Sequence, residues 1–416
     1  MIFLAVFDGI RSKTPIAEQV TYFKEITTFT LLAITLISSS KLVKKRALYF
    51  SNIFLLIYLV LIATVVISLN DVSRSLLPTL LRNDMPTPYA MHFKNIESIV
   101  LVFVLIHYEH LTGRKITALM DFFVQLCIFY VLFTLLIYFK FDNTSFFKSP
   151  WFGRVSIGYP TSDAQILAFA LAYLVFGKTN IKSTVRGIFI AILCVGVLMN
   201  ATATGIISLG IIFIAYFFYF LFSGKFITTF SIKNSVYAII IIIIFFTGKQ
   251  VLGKVNDRAV DYAALLENKM GFVTNKINAS LFGQYNPEYY PDISEELRKT
   301  QVELTFKFNK DFASLLLGGP ISLGTFIENE NYFLIRSYGY VGFTLYYLWI
   351  MMLLFLSFKY INKYYGRLLA IAIGILIITN SAIATTYLFG LAVSFGLFVS
   401  YFYYHSSKDY LEYDDV

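Results

Sequence analysis

A polytopic all-α bundle of transmembrane helices is the fold class this sequence predicts, and three observations carry the prediction. Of 416 residues, 57% are apolar and only 14% charged, far from the roughly 25% charged of a soluble domain. Apolar blocks of about 17–25 residues recur along the chain, each long enough to cross about 30 Å of hydrocarbon as a helix. Lysine and arginine gather in alternate connections between those blocks. Helices follow rather than open sheets, because lipid offers backbone amides no hydrogen-bond partner.

Taken in order, the blocks predict spans over 20–40, 48–69, 92–108, 119–140, 160–177, 184–200, 202–222, 235–247, 331–357, 368–384 and 386–404. That is about eleven. Short cytoplasmic connections carry an excess of basic residues, and one register satisfies the rule throughout. Lys41, Lys44, Lys45 and Arg46 face inward, as do Arg114 and Lys115, then Lys178, Lys182 and Arg186, then Lys225 and Lys233, then Lys359, Lys363 and Arg367. The opposite connections, 70–91, 141–159, a tight turn at Asn200, the long segment 248–330 and a turn at 380–385, face outward. The tail 408–416 faces inward.

Residues 1–7 are apolar, and a short first helix there would bring the number of spans to twelve. A cleavable signal peptide is not expected, because Arg11 and Lys13 follow the apolar stretch instead of preceding it. The net charge of +9 reflects the inward loops, so no nucleic-acid partner is read from it. Cys127 and Cys194 both fall inside apolar blocks and predict buried packing. His92, His107, His110 and His405 show no ligand spacing, so no metal site is expected.

The division that results is 1–247 as N-terminal membrane helices, 248–330 as a large outward loop domain, 331–404 as C-terminal membrane helices and 405–416 as a tail. Segment 248–330 holds nine Lys/Arg and eleven Asp/Glu in 83 residues. Within it, Ser294 starts an amphipathic helical pattern through Leu297, Val302, Leu304 and Phe308, and Leu317, Gly318, Gly319 and Pro320 end it as a turn. The long loop has no counterpart in the first half, which argues against the repeats of many carriers. The high aromatic content is read as interfacial tyrosine and tryptophan rather than sugar-stacking platforms.

Charge at the outward helix ends is the informative asymmetry. Lys24, Glu25, Lys94, Glu97, Asp163, Glu328, Glu330 and Arg336 all lie at or within apolar runs. An ionisable group facing lipid costs at least about 2.5 kcal/mol, so these should face one another or a wet cavity. Arg154 precedes a helix opened by Pro160, Ser162 and Asp163; it either joins free backbone amides as an anion site or pairs with Asp163. Arg298 stands beside Glu295 and Glu296, where a solvated helix face also explains it. Thr325 and Glu328 match a capping box, Glu330 suits the dipole of the same helix start, and Arg336 lies two turns past Glu328 on nearly the same face.

Three pieces together resemble the O-antigen polymerase family (Wzy type), within the wider group that includes the O-antigen ligases. Arg154 to Gly158, then Pro160, resembles that group's Arg-x-x-x-Gly loop before a helix. Ser294, Glu295, Glu296, Leu297 and Arg298, roughly twenty residues before Leu317, Gly318 and Gly319, resemble its large-loop arginine ahead of a glycine turn. Glu328, Asn329, Glu330 and Asn331, with Tyr338, Gly339, Tyr340, Val341 and Gly342, resemble its acidic Asn segment and following Gly-x-x-Gly. Ligases of the group usually show histidine where Glu328 stands, which moves the reading toward polymerase.

The resemblance implies a bacterial inner-membrane glycosyltransferase that joins oligosaccharide repeats carried on undecaprenyl diphosphate at the periplasmic face, for lipopolysaccharide or related surface polysaccharide. It implies no nucleotide sugar, cofactor or metal, and a chain-length regulator protein as a partner. Arg154 and Arg298, with Arg336, would hold the lipid diphosphate, and Glu328 or Glu330 would act as base. The alternatives are a ligase transferring finished polymer to lipid A core and a flippase for the lipid-linked repeat, which would need basic residues lining a central passage.

Overall fold

The computed structural model describes residues 2–7, 17–38, 97, 100–140, 156–200, 202–222, 271, 302, 303, 306, 312–318, 329–382 and 388–414. Every regular element among them is an α-helix. In chain order they are α1 (Ile2–Val6), α2 (Ala17–Ser38), α3 (Tyr108–Thr112), α4 (Ile116–Lys140), α5 (Pro160–Phe176), α6 (Ser183–Met199), α7 (Ala203–Phe222), α8 (Phe312–Leu317), α9 (Glu330–Lys359), α10 (Tyr364–Asn380) and α11 (Phe389–Asp414). The helical residues 100–106 precede α3. The expected spans 48–69 and 235–247 lie outside the described residues.

Among the described residues, two helices are long and apolar enough to cross a membrane, over Ile116–Ile137 and Glu330–Lys359. Pro160–Phe176, Ser183–Met199, Ala203–Tyr219 and Tyr364–Asn380 are shorter apolar helices. The predicted starts and ends agree closely with the helices for 119–140, 160–177, 184–200 and 202–222. The last helix runs ten residues past the expected end at 404, to Asp414.

The chain divides into two compact units. The first comprises Met1–Ala5, Pro15–Leu119 and Pro291–Val416; the second comprises Val6–Thr14 and Met120–Tyr290.

In the second unit α5 packs against both α6 and α7. It is buried almost all round, from Pro160 to Phe176 with few interruptions, as an apolar core helix should be. Small residues set the spacing. A Cβ on Gly196 would come within 3.0 Å of Leu167, and one on Gly205 within 3.1 Å of Ala164 and 3.2 Å of Val197, the close approach typical of helices packed without a solvent-driven force. Phe7 lies edge-on to Tyr130 of α4 at 5.5 Å. Cys127 and Cys194 are buried, as their apolar blocks predict.

The connection after α5 is held by a buried carboxylate. Asp121 accepts from the hydroxyls of Tyr173 (3.0 Å) and Thr179 (2.6 Å) and from the backbone N–H (3.1 Å) and side-chain amide (3.0 Å) of Asn180. Arg186 donates to the carbonyls of Leu174 and Val175 at the end of α5. A basic residue used to set the topology thus also caps a helix C-terminus, where its charge suits the dipole.

In the first unit α9 packs on α10, α10 on α11, and α8 on α9. Residues 100–106 meet α11: Ser400 donates to the Leu105 carbonyl at 2.6 Å, and a Cβ on Gly396 would come within 2.9 Å of Leu105. Tyr364, Tyr365, Tyr401, Phe402 and His405 form one aromatic cluster, with the Tyr364 hydroxyl 2.7 Å from His405 Nδ1. Tyr365 and Tyr401 are buried, so these rings pack between helices rather than forming an interfacial belt.

Candidate functional site

The first residues of α9 are set by a local cap. The side-chain oxygen of Asn329 accepts the backbone N–H of Asn331 at 3.0 Å, and Glu330 occupies the first turn, where a carboxylate suits the helix dipole. The cap of α9 is therefore Asn329; the expected capping box of Thr325 and Glu328 lies outside the described residues.

The helix then breaks at Gly339, whose φ of 63° and ψ of −171° are foreign to a helix and accessible at low cost only to glycine. Gly318, with φ 96°, follows α8 and meets the break backbone to backbone: a Cβ there would lie 2.6 Å from the Ser337 carbonyl carbon and 2.8 Å from the Tyr338 nitrogen. A Cβ on Gly339 would in turn strike the backbone of Leu316 and Leu317. The structure thus seats the glycine turn at 318 on the Tyr338–Gly339 pair, with no side chain between.

The break folds α9 back on itself. The Tyr347 hydroxyl donates to the Asn331 side-chain oxygen. A straight helix would place these residues about 24 Å apart along its axis, well beyond the reach of the two side chains. Residues 330–338 therefore form a half-helix lying along the first turns of residues 340–359, which by themselves are about 30 Å long. Asn329 donates to the Ser381 carbonyl at 2.8 Å and Asn380 to the Tyr346 hydroxyl at 3.3 Å. The start of the half-helix is thus level with the end of α10, and Gly339 is at the tip of the fold-back.

Two ionisable groups sit in this half-helix: Glu330 is 0% exposed and Arg336 4%. Their order along the chain's path differs from expectation. Read as one continuous helix, α9 carried Arg336 two turns past Glu328; folded back, it puts Glu330 level with Tyr346 and Asn380 and Arg336 nearer the tip. Asn331, Tyr346, Tyr347 and the fully buried Asn380 complete the polar surroundings. None of these four was a candidate from the sequence, although an asparagine at the end of an apolar run in Thr379–Asn380–Ser381 was a signal of a buried polar contact.

Elsewhere in the same unit two further charges from apolar runs, Lys24 and Glu97, are buried, whereas Glu25 is half-buried. Lys24 is 3% exposed and its ammonium lies 4.5 Å from the centre of the Phe389 ring; Glu97 is 3% exposed and accepts from Thr28 at 2.8 Å.

In the second unit Asp163, 6% exposed, organises the approach to α5. Its Oδ2 accepts from the Tyr130 hydroxyl at 2.5 Å, the Ser156 hydroxyl at 2.6 Å and the Gly158 N–H at 2.9 Å. Pro160 takes the first helical position as predicted, but the cap residue Tyr159 makes no side-chain cap; Asp163 reaches back to Gly158 instead. A Cβ at Gly158 would lie 2.5 Å from that carboxylate, so only glycine lets the loop pass. Arg154, Arg298, Glu328 and Lys94 lie outside the described residues.

No protein-family model, curated protein or solved structure matches this chain. The site rests on its own chemistry: a buried carboxylate and a buried guanidinium on a broken half-helix, framed by amide and phenol groups. Broken backbone at membrane depth is tolerated where it is buried in protein or lines a polar cavity, and it commonly marks a ligand site.

Proposed function

We propose that this chain is a membrane polysaccharide polymerase of the O-antigen type, joining oligosaccharide repeats carried on undecaprenyl diphosphate at the periplasmic face of the bacterial inner membrane. The observation that supports it most is the burial of Glu330 and Arg336 on a half-helix against which the glycine turn at 318 is seated. Two of the three sequence pieces that carry the family resemblance, the Leu317–Gly318 turn and the segment with Glu330, Tyr338 and Gly339, are adjacent in space as well as in order.

In this reading the chain crosses the membrane about eleven times, 248–330 is a periplasmic domain, and the fold-back faces outward. Glu330, or Glu328 just before the cap, takes the proton of an acceptor sugar hydroxyl. The hydroxyl oxygen bonds to the anomeric carbon of the donor chain, the bond from that carbon to the diphosphate oxygen breaks, and undecaprenyl diphosphate leaves with the electron pair. Arg154 and Arg298 bind the diphosphate as bidentate donors where its negative charge grows, with Arg336 assisting.

The test is the lipopolysaccharide of a deletion strain. A core bearing a single repeat, restored to a full ladder by the wild-type gene but not by Arg154→Ala or Arg298→Ala proteins that insert normally, is the expected result. Bare core would identify a ligase, repeats confined to the inner leaflet would identify a flippase, and long chains in both mutants would refute the reading.

A further inference from the structure

Three polar side-chain atoms in the α5, α6 and α7 group are buried with no hydrogen-bond partner: Gln165 Nε2, Asn200 Oδ1 and Thr204 Oγ1. Gln165 and Asn200 are 0% exposed and Thr204 9%. The helix segments that carry them pack together. Gly205, next to Thr204, is the point where α7 meets Ala164, next to Gln165, and Val197, one turn before Asn200. Gln165 and the Thr204 face of α7 are also tied directly, because Ser208, one turn on from Thr204, donates to Gln165 Oε1 at 2.8 Å. Asn200 spends its amide N–H on the Gly196 carbonyl at 2.8 Å, which leaves its oxygen as the open acceptor.

Buried donors and acceptors are nearly always satisfied, and a cluster of three exceptions calls for an occupant. The open set is complementary to one chemistry. Gln165 offers an N–H, Asn200 offers an acceptor, and the Thr204 hydroxyl serves as either. The cluster itself contains no charged group, and the nearby Asp163 oxygen Oδ2 is engaged by Tyr130, Ser156 and Gly158.

We propose that Gln165, Asn200 and Thr204 form a neutral hydrogen-bonding site that takes a hydroxyl, supplied either by an internal water or by a sugar of the substrate. The occupant accepts from Gln165 and donates to Asn200. The water source stands independently of the polymerase reading; the sugar source rests on it, as a subsite for the uncharged part of a lipid-linked oligosaccharide.

Thr204→Val decides, because it removes the hydroxyl and preserves the shape and β-branching of the side chain. Two measurements are made: the thermal unfolding midpoint of the full chain in sugar-free lipid nanodiscs, and the length distribution of polymer in complemented cells. In a dry site the substitution deletes an unsatisfied group, and stability stays or rises. A midpoint lowered by about 2 °C or more shows that water occupies the site. An unchanged or raised midpoint with at least about a tenfold loss of long chains assigns the occupant to the sugar. An unchanged or raised midpoint with an unaltered ladder overturns the proposal, as does an unchanged midpoint should the deletion strain show that the protein is not a polymerase. If Thr204→Val does not insert, Thr204→Ser keeps the hydroxyl: recovery supports the site, and equal loss overturns it.

Discussion

The hydroxyl of Tyr347 donates to the side-chain oxygen of Asn331 across the break at Gly339, and this bond defines the geometry of the candidate site. It bridges sixteen positions of sequence within one helix, and so ties the half-helix that carries Glu330 and Arg336 to the straight part of α9. Removing it should loosen the half-helix; the same hydroxyl also contacts Asn380 and lies in the field of Glu330. Tyr347→Phe is expected to cost about 1 kcal/mol, read as a lower unfolding midpoint and faster amide exchange confined to residues 330–338.

The backbone crossing at Gly339 and Gly318 should tolerate no side chain. Gly339→Ala places a Cβ at positive φ against the Leu316 backbone and is expected to destabilise by about 1–3 kcal/mol. Gly342→Ala, in the regular part of the same helix, is the comparison. Equal midpoints for the two variants would contradict the crossing.

Asp163 holds three donors at once, so Asp163→Ala strands the Tyr130 hydroxyl and the Gly158 N–H and leaves the Ser156 hydroxyl only its longer contact, 3.2 Å, to the Gly158 carbonyl. A buried donor left unpaired costs at least about 1 kcal/mol, and the sum predicts a marked fall in the yield of folded protein. Asp163→Asn keeps one acceptor oxygen and should fall between alanine and wild type. Thermal unfolding followed by size-exclusion chromatography orders the three.

Glu330→Gln separates a chemical role from a structural one. The amide is nearly the same size, so the half-helix should persist, with a midpoint near that of the wild type. If Glu330 is the base, long-chain polymer should fall at least about 100-fold. An unaltered polymer ladder would move the role to Glu328, where Glu328→Gln should then produce the loss.

Much of the helical layout was legible in the chain because it follows from local rules. Apolar block length and breaking residues placed α5, α6 and α7 to within a residue and α4 to within three, and of the basic residues in the connections Arg186 caps the end of α5 while Arg367 holds the turn after α9. The burial of Glu330, Arg336, Asp163, Lys24 and Glu97 was also legible, since charges inside apolar runs have to find polar company.

Sequence alone gave the helical, membrane-compatible class and the short roster of charged residues at or within the apolar runs. Tertiary structure decided the rest: that α9 folds back at Gly339, that Arg336 lies nearer the tip of the fold-back than Glu330, that Asn380 and Tyr347 join Glu330, and that Asp163 binds Tyr130, Ser156 and Gly158. Hydrophobic periodicity reports only which residues leave water. Which buried polar group meets which depends on backbone direction at a few glycines and on contacts between segments far apart in the chain, and neither is encoded in any local pattern.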